Sequence, residues 1–415
     1  MSDLPTVKVS ECCDILDNLR IPLNSEEREK IKGNIPYFGA NGVQGYISEY
    51  IFDEDLILLA EDGGNFDDYQ TRPIAYRISG KSWVNNHAHV LRAKEGYDFS
   101  FVFYSLQHKN IIPCIKGGTR AKLNQAELRE ITIWDAPLPT QQRIGEIIET
   151  IDNQIDATQA LIDKYTTIKQ GMMADLFSRG IDPDTKALRP TFEEAPELYH
   201  KTPLGMLPTG WDVIELKNLL DDVATPMRSG PFGSALLKEE LVSEGIPLLG
   251  IDNIFVERFK ASYKRFVTER KFRELSRYAV RERDVVITIM GTVGRSCVIP
   301  ESIGLALSSK HLWTMTFDKE QILPELVCWQ LNHSPWAESW FRRESQGGVM
   351  DAIQSQTLKK LKLVVPTPAE QNAIYERYEN LNNHIEVNQT SLDKLKLQKS
   401  GLMQDLLTGK VPVSA

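Results

Sequence analysis

Ten cations crowd one stretch of this chain: Arg258, Lys260, Lys264, Arg265, Arg270, Lys271, Arg273, Arg277, Arg281 and Arg283. Only Glu269, Glu274 and Glu282 oppose them, and Phe259, Tyr263, Phe266, Phe272 and Tyr278 are interleaved. Cations in such density can neutralise phosphates, so the run reads as a phosphate-binding face; a solvated helix face is the plainer alternative. The first half offers a looser set: Arg72, Arg77, Lys81, His87, His89, Arg92, Lys94, Lys116, Arg120 and Lys122. The net charge of −9 disfavours a simple nucleic-acid binder. A total can hide local patches, however, and part of the acid lies elsewhere, as in Glu193, Glu194 and Glu197.

Catalytic signatures are missing. Gly63-Gly64-Asn65 and Gly291-Thr-Val-Gly294 lack the Lys-Ser/Thr ending of a phosphate loop and read as turns. There is no Gly-x-Ser-x-Gly elbow, no Asn/Asp-Pro-Pro-Tyr/Phe tetrad of an amino methyltransferase, and no glycine-rich cofactor loop after a strand. Glu269-Arg270-Lys271 lacks the apolar strand of a nuclease centre. His87 and His89 are spaced for a metal but have no indicated third ligand, and the five cysteines show no Cys-x-x-Cys pair, so no metal site is expected. Binding is favoured over catalysis.

Length of 415 residues suggests two domains or more. A hydrophobic content of 41% with 25% charge is that of an ordinary soluble protein. Met-Ser-Asp-Leu-Pro lacks the basic-then-apolar pattern of a signal peptide, and no apolar run reaches the ~18 residues of a membrane span. A cytoplasmic protein with reduced thiols is expected.

The chain repeats itself. Ile144–Gly180 aligns with Ile374–Lys410 at a shift of 230 residues, with about a third of the positions identical. Asp163-Lys164 meets Asp393-Lys394, and Gly171, Met173 and Asp175-Leu176 meet Gly401, Met403 and Asp405-Leu406. Upstream, Lys116-Gly-Gly118 and Pro137-x-Pro139 answer Gln346-Gly-Gly348 and Pro366-x-Pro368. Asp55–Leu59 echoes Asp284–Thr288, and Asn86-His87 echoes Lys310-His311.

Both repeated segments carry a heptad stripe. The first runs through Ile144, Ile148, Ile151, Ile155, Thr158, Ile162, Tyr165, Lys169, Met172 and Leu176; the second through Ile374, Tyr378, Leu381, Ile385, Asn388, Leu392, Leu395, Lys399, Leu402 and Leu406. Polar residues interrupt both at equivalent places, Thr158 with Asn388 and Lys169 with Lys399, which lowers stability but can fix register. Each helix would be about 55 Å long. Antiparallel pairing of the two would put a globular module at each end of a rod; packing of each helix on its own module is the alternative. The organisation expected is a module at 1–138, a helix at 139–180, a linker at 181–204, a module at 205–366 and a helix at 367–410. The prolines from Pro183 to Pro208 mark the linker region as an extended strap. Both modules read as α/β, with strands at Leu56–Ala60 and Val285–Met290 and helices near Phe101–Leu106 and Glu325–Leu331.

At this point the chain resembles the specificity subunits of type I restriction-modification enzymes. The motifs that carry the resemblance are Thr202-Pro-Leu-Gly-Met-Leu-Pro-Thr-Gly-Trp211, Arg228-Ser-Gly-Pro-Phe-Gly-Ser234, Asp284–Gly294, and Ala369-Glu-Gln371 before a long helix. Ile35–Gly42 and Val84-Asn-Asn-His-Ala-His-Val90 match a recognition-domain variant in the first half, although the Leu-Pro-x-Gly-Trp opening is missing before Val7. The resemblance implies two α/β target-recognition domains joined by two long antiparallel coiled-coil helices, a pseudo-twofold frame that binds a bipartite, asymmetric double-stranded DNA site. It implies two methyltransferase subunits and restriction (motor–nuclease) subunits as partners, with S-adenosylmethionine, ATP and Mg on them and no chemistry in this chain. A bacterial or archaeal cytoplasm is implied as well.

Base reading is expected from polar side chains near the repeated glycines: Asn86, His87, Lys116, Thr119, Arg120 and Lys122 in the first module. In the second they are Arg228, Ser234, Thr292, Arg295, Lys310, His311 and Gln346, with Lys264 and Arg265 from the basic run. A stand-alone two-lobed nuclease and a coiled-coil protein adaptor are the competing readings.

Overall fold

A computed structural model describes residues 4–63, 65–115, 121–291, 293–344 and 353–413. The chain forms two compact units, Met1–Leu161 with Val387–Ala415, and Ile162–Glu386. Each long helix is divided between them.

The first unit opens with β1 (Thr6–Lys8), α1 (Val9–Cys12), β2 (Cys13–Ile15) and α2 (Ser25–Lys30). Next come β3 (Lys32–Gly39), β4 (Gly42–Ile47), β5 (Phe52–Asp53), β6 (Leu56–Ala60), β7 (Ala75–Ile78), β8 (Lys81–Val84) and β9 (Ala88–Ala93). Helices α3 (Phe99–Gln107) and α4 (Gln125–Glu130) precede β10 (Thr132–Trp134) and the long α5 (Leu138–Arg179). The strands form sheets in the orders β2-β9-β6-β7 and β4-β3-β8-β5, plus the pair β1-β10. All of β6 is buried because both of its faces are covered. Ile57 and Leu59 pack with Phe101, Val102 and Leu106 of α3, while Leu56 and Leu58 pack with Phe52 and Val84. An uninterrupted apolar run is what a doubly covered strand requires.

The second unit contains a hairpin, β11 (Tyr199–Thr202) and β12 (Gly205–Pro208), then β13 (Asp212–Glu215), β14 (Met227–Ser229), β15 (Ile246–Leu249), β16 (Ile254–Phe255), β17 (Arg258–Phe259) and β18 (Phe266–Val267). After α6 (Glu269–Glu274) come β19 (Val285–Thr288), β20 (Ser296–Val298), β21 (Leu307–Ser308) and β22 (Leu312–Met315). Helices α7 (Pro324–His333), α8 (Pro335–Glu344) and α9 (Ser355–Leu358) lead to β23 (Lys362–Val365) and α10 (Pro368–Leu406). The main sheet has the order β14-β22-β19-β20, matching β2-β9-β6-β7 strand for strand. The parallel pair β15-β21 matches β3-β8, and the antiparallel pair β13-β23 matches β1-β10. The repeat therefore runs through the modules as well as the helices. β1 forms although its opening motif is absent, with Val7 opposite Ile133 as Val213 is opposite Val364.

The long helices pair antiparallel, and each also packs on a module. In the second unit Tyr165 stacks on His384 at 5.1 Å and Lys169 Nζ lies 2.9 Å from Asn382 Oδ1, so one number rises as the other falls. In the first unit Lys399 Nζ lies 2.7 Å from Asp152 Oδ1. Ile144 and Ile148 enter the core of the first module, Ile374 and Tyr378 that of the second. Along the stripes, Ile144, Ile162 and Leu392 are buried, and Ile151, Ile155, Thr158, Leu381, Ile385 and Asn388 are half-buried. Gly180 (φ 70°) and Gly409 (φ 65°) end the helices; a Cβ there would strike Trp211 in one case and Leu4 in the other. Positive φ and close approach together demand glycine at both.

The segment after Gly180 is not the extended strap expected from its prolines. Tyr199–Thr202 pairs with Gly205–Pro208, and Ile181, Tyr199 and Leu207 are buried. Gly205 takes φ 111°, and the Thr202 hydroxyl donates to its carbonyl at 2.8 Å and accepts the Leu204 N–H at 3.1 Å. The prolines stiffen a packed hairpin instead of preventing one. No helix among the described residues is long and apolar enough to cross a membrane.

Candidate nucleic-acid interface

In the first module the turn from β8 to β9 carries Asn85, Asn86 and His87. Asn85 is buried: its N–H donates to the Phe38 carbonyl at 3.0 Å, and its Oδ1 accepts the His87 N–H at 2.8 Å. Asn86 is exposed and His87 is half-buried, its Nδ1 2.7 Å from Asp62 Oδ1. Asp62 also bridges to Lys122 through the backbone, and Lys122 Nζ lies 3.0 Å from Glu61 Oε1. Thus Asn86, His87 and Lys122 are brought to one end of the sheet. An open cavity of about 560 Å³ adjoins the turn, lined by Asn24, Arg28, Tyr37, Gln44, Asn86 and His87 among others. Lys116, Thr119 and Arg120 lie outside the described residues.

His89 is buried. It is 1% exposed, with Nδ1 2.7 Å from Asp17 Oδ2 and Nε2 2.8 Å from the Leu123 carbonyl. Asp17, Glu61 and His89 have the spacing of metal ligands. Glu61 of this group is also paired with two side-chain cations, Arg20 at 2.6 Å and Lys122 at 3.0 Å. Burial pushes the Asp17 carboxyl up, but hydrogen bonds from His89 and the Val90 N–H, with Arg20 nearby, bring it below its ordinary value. Both His89 nitrogens are engaged, so the cluster braces the turn that presents Asn86.

In the second module Lys310 and His311 precede β22 as Asn86 and His87 precede β9. Lys310 is exposed; burial lowers the His311 pKa, and the charges of Lys310 and Arg265 lower it further. Arg265 and Lys310 therefore set two positive charges beside a His311 ring whose protonation they oppose, with Arg265 also paired to Asp252. Arg295 is half-buried, fixed through its backbone by two hydrogen bonds with Thr288, at 2.9 and 3.1 Å. Its guanidinium has no ion pair among the described residues. Ser234 and Lys264 are exposed, and Phe232 and Val293 expose apolar surface beside Ser234 and Arg295 in the chain. Thr292 and Gln346 lie outside the described residues.

Two expectations need correction. Arg228 is 3% exposed, ion-paired with Asp284, and donates to the carbonyl of Ala279 at 2.7 Å and the hydroxyl of Thr316 at 3.0 Å. Its guanidinium is consumed inside the domain and is not a reading group. Burial outweighs the pairing here, lowering the Arg228 pKa and raising that of Asp284, as a desolvated ion pair should. The basic run from Arg258 to Arg283 is also not a free array. It is divided among β17, β18, α6 and a following turn, and Arg265, Arg270, Lys271, Arg273 and Arg283 are in ion pairs. Arg258, Lys260 and Lys264 have none among the described residues.

A family model for the type I restriction modification DNA specificity domain matches residues 1–166 and 210–397. A Haemophilus influenzae chain named as a type I restriction enzyme specificity subunit is 29% identical over 92% of this chain and 90% of its own length. The MjaVIII specificity subunit of Methanocaldococcus jannaschii is 23% identical over 93% of this chain and 88% of its own. The crystal structure of a type I restriction-modification S subunit from M. genitalium covers 100% of this chain and 98% of that one with a TM-score of 0.64. At 14% identity that likeness speaks to the fold. With the family match spanning both modules and most of both long helices, the chain belongs to the type I restriction modification DNA specificity family.

Proposed function

We propose that this chain is the DNA-recognition subunit of a type I restriction-modification complex. Its first recognition domain (1–138) reads one half of a split target and its second (205–366) reads the other. The observation that carries this reading is a single topology repeated with different side chains at the same turn: Asn85-Asn86-His87 before β9, and Ser309-Lys310-His311 before β22. A shared frame with unlike readers suits an asymmetric site. Asn86, His87 and Lys122, with Lys116, Thr119 and Arg120, are assigned to the first half-site. Ser234, Lys264, Arg265, Arg295, Lys310 and His311, with Thr292 and Gln346, are assigned to the second. Amides suit adenine edges and cations suit guanine edges or phosphate.

The long helices serve as spacer and as docking surface for two methyltransferase subunits, and restriction subunits join that assembly. S-adenosylmethionine, ATP and Mg belong to those partners; this chain contributes recognition. It works in the cytoplasm of a bacterium or archaeon. The test is DNA retention by the chain assembled with a methyltransferase partner, titrated with salt. Retention that falls steeply as salt rises is expected, because phosphate contacts release counterions. Assembly without any salt-sensitive retention would instead support a protein adaptor.

A further inference from the structure

The register of β3 on β4 shifts twice, and the second shift, between Tyr37 and Phe38, is by one residue. Tyr37 faces Gly45 and Phe38 faces Val43, so Gln44 is the extra residue of a β-bulge on the edge strand of its sheet. A bulge re-aims a side chain that strand alternation would have sent elsewhere. Here it sends Gln44 to the polar cavity beside Asn86 and His87.

The Gln44 carboxamide is held in one orientation. The His87 N–H donates to Asn85 Oδ1 at 2.8 Å, which leaves Asn85 Nδ2 to donate to Gln44 Oε1 at 3.1 Å. Asn85 is buried and its own backbone is tied to Phe38, so this chain of donors begins from fixed atoms. The carboxamide lies over Gly39, where any Cβ would collide with it. What stays open on Gln44 is the second lone pair of Oε1 and the Nε2 donors, which have no hydrogen-bond partner among the described residues. Nearby, Arg28 lies over the Tyr37 ring at 5.1 Å and has no ion pair among the described residues, which places a cation at the rim of the same cavity.

We infer that Gln44 is a specificity-determining residue that reads an adenine in the first half-site. One acceptor and one donor on a fixed planar amide match the N6–H and N7 of adenine in the major groove. Guanine offers two acceptors on that edge and could use only the Nε2 donors. Arg28 is placed for the adjoining phosphate. The inference rests on the proposed reading of the chain as a DNA recognition subunit, and it adds a residue and a base to that reading.

The test selects binding sites from random double-stranded DNA with the chain assembled with a methyltransferase partner, for the wild type, Gln44→Ala and Gln44→Glu. The wild type is expected to select two half-sites. Gln44→Ala should lose discrimination by roughly 10-fold or more at one adenine of the first half-site. Gln44→Glu keeps the acceptor that Asn85 holds but loses the donor, so cytosine should be favoured at that position. An unchanged second half-site in both variants shows that the chain still folds and assembles. If the wild type selects two half-sites while both variants keep its preferences, the assignment of Gln44 fails alone. It also fails if the altered position is not an adenine, or if the whole first half-site is lost. A wild type that selects no sequence removes the recognition reading and this inference together.

Discussion

In the second unit, Lys169 of α5 lies 2.5 Å from Glu257 of the module, 2.9 Å from Asn382 of α10, and 5.2 Å from the centroid of the Tyr378 ring, also on α10. In the first unit, Lys399 of α10 lies 2.7 Å from Asp152 of α5, 3.1 Å from Gln107 of the module, and 5.4 Å from the Tyr104 ring, also on the module. The two lysines are equivalent in the repeat, and so are Asp152 and Asn382. Each ammonium has one carboxylate, one amide and one aromatic face. The sources are exchanged: helix carboxylate with module amide and ring in one unit, module carboxylate with helix amide and ring in the other. The frame keeps the charge balance of its anchor while the sequence around it diverges. It also explains the second polar break in each heptad stripe, since Lys169 and Lys399 tie the helix pair to a module.

The units differ in how deeply the anchor is buried, and that difference sets the largest expected effect. Lys169 and Glu257 are each 8% exposed at the side chain, whereas Lys399 and Asp152 are 15% and 18% exposed. Lys169→Ala would leave the buried Glu257 carboxylate with only His333 beside it and should cost about 3 kcal/mol. Lys399→Ala should cost about 2 kcal/mol. Urea unfolding of the full chain followed by tryptophan fluorescence measures both; equal losses would remove the asymmetry.

Acid should act on the second anchor. Burial alone would raise the Glu257 carboxyl, but His333, with its Nε2 at 3.3 Å, and Lys169 bring it down from 4.5 to about 2. A carboxyl depressed on folding contributes stability above its unfolded value. That contribution, about 3 kcal/mol, is lost as the pH falls from about 4.5 towards 2. Glu257→Gln should flatten that part of the stability–pH curve; an unchanged slope would contradict the assignment.

A smaller effect tests the exchange itself. Asp152→Asn removes the carboxylate from the first anchor and should cost about 2 kcal/mol. Adding Gln107→Glu rebuilds the arrangement of the second unit and should recover most of that loss, a coupling that a double-mutant cycle measures. Additive losses would mean that the two anchors are alike only by position.

The frame is legible in the sequence because a 3.5-residue period repeated over about nine turns leaves few alternatives, and because Lys169 and Lys399 break it at the same place. The shared module topology is not. Strands such as Ile254–Phe255 and Leu307–Ser308 have two residues, too few for alternation to register. Asn86-His87 and Lys310-His311 are visible as an echo, and the structure gives the reason: they lead into β9 and β22, which hold equivalent places in two equivalent sheets. Arg228 reads as exposed in the sequence because it leads into a glycine-rich turn; its partner Asp284 is 56 residues away and reaches it only through the β14-β22-β19 order. Gln44 was missed because a bulge is an event of register, which depends on two strands at once. Its one sequence sign is a polar residue flanked by Gly42 and Gly45.

A common frame with unlike readers predicts a particular kind of target. The direct measurement is to map methylated adenines in DNA from cells that express this chain with a methyltransferase partner. Two different half-sites separated by a fixed unread gap are the expected result. A palindromic or uninterrupted methylated sequence, or methylation unchanged by this chain, would contradict the account.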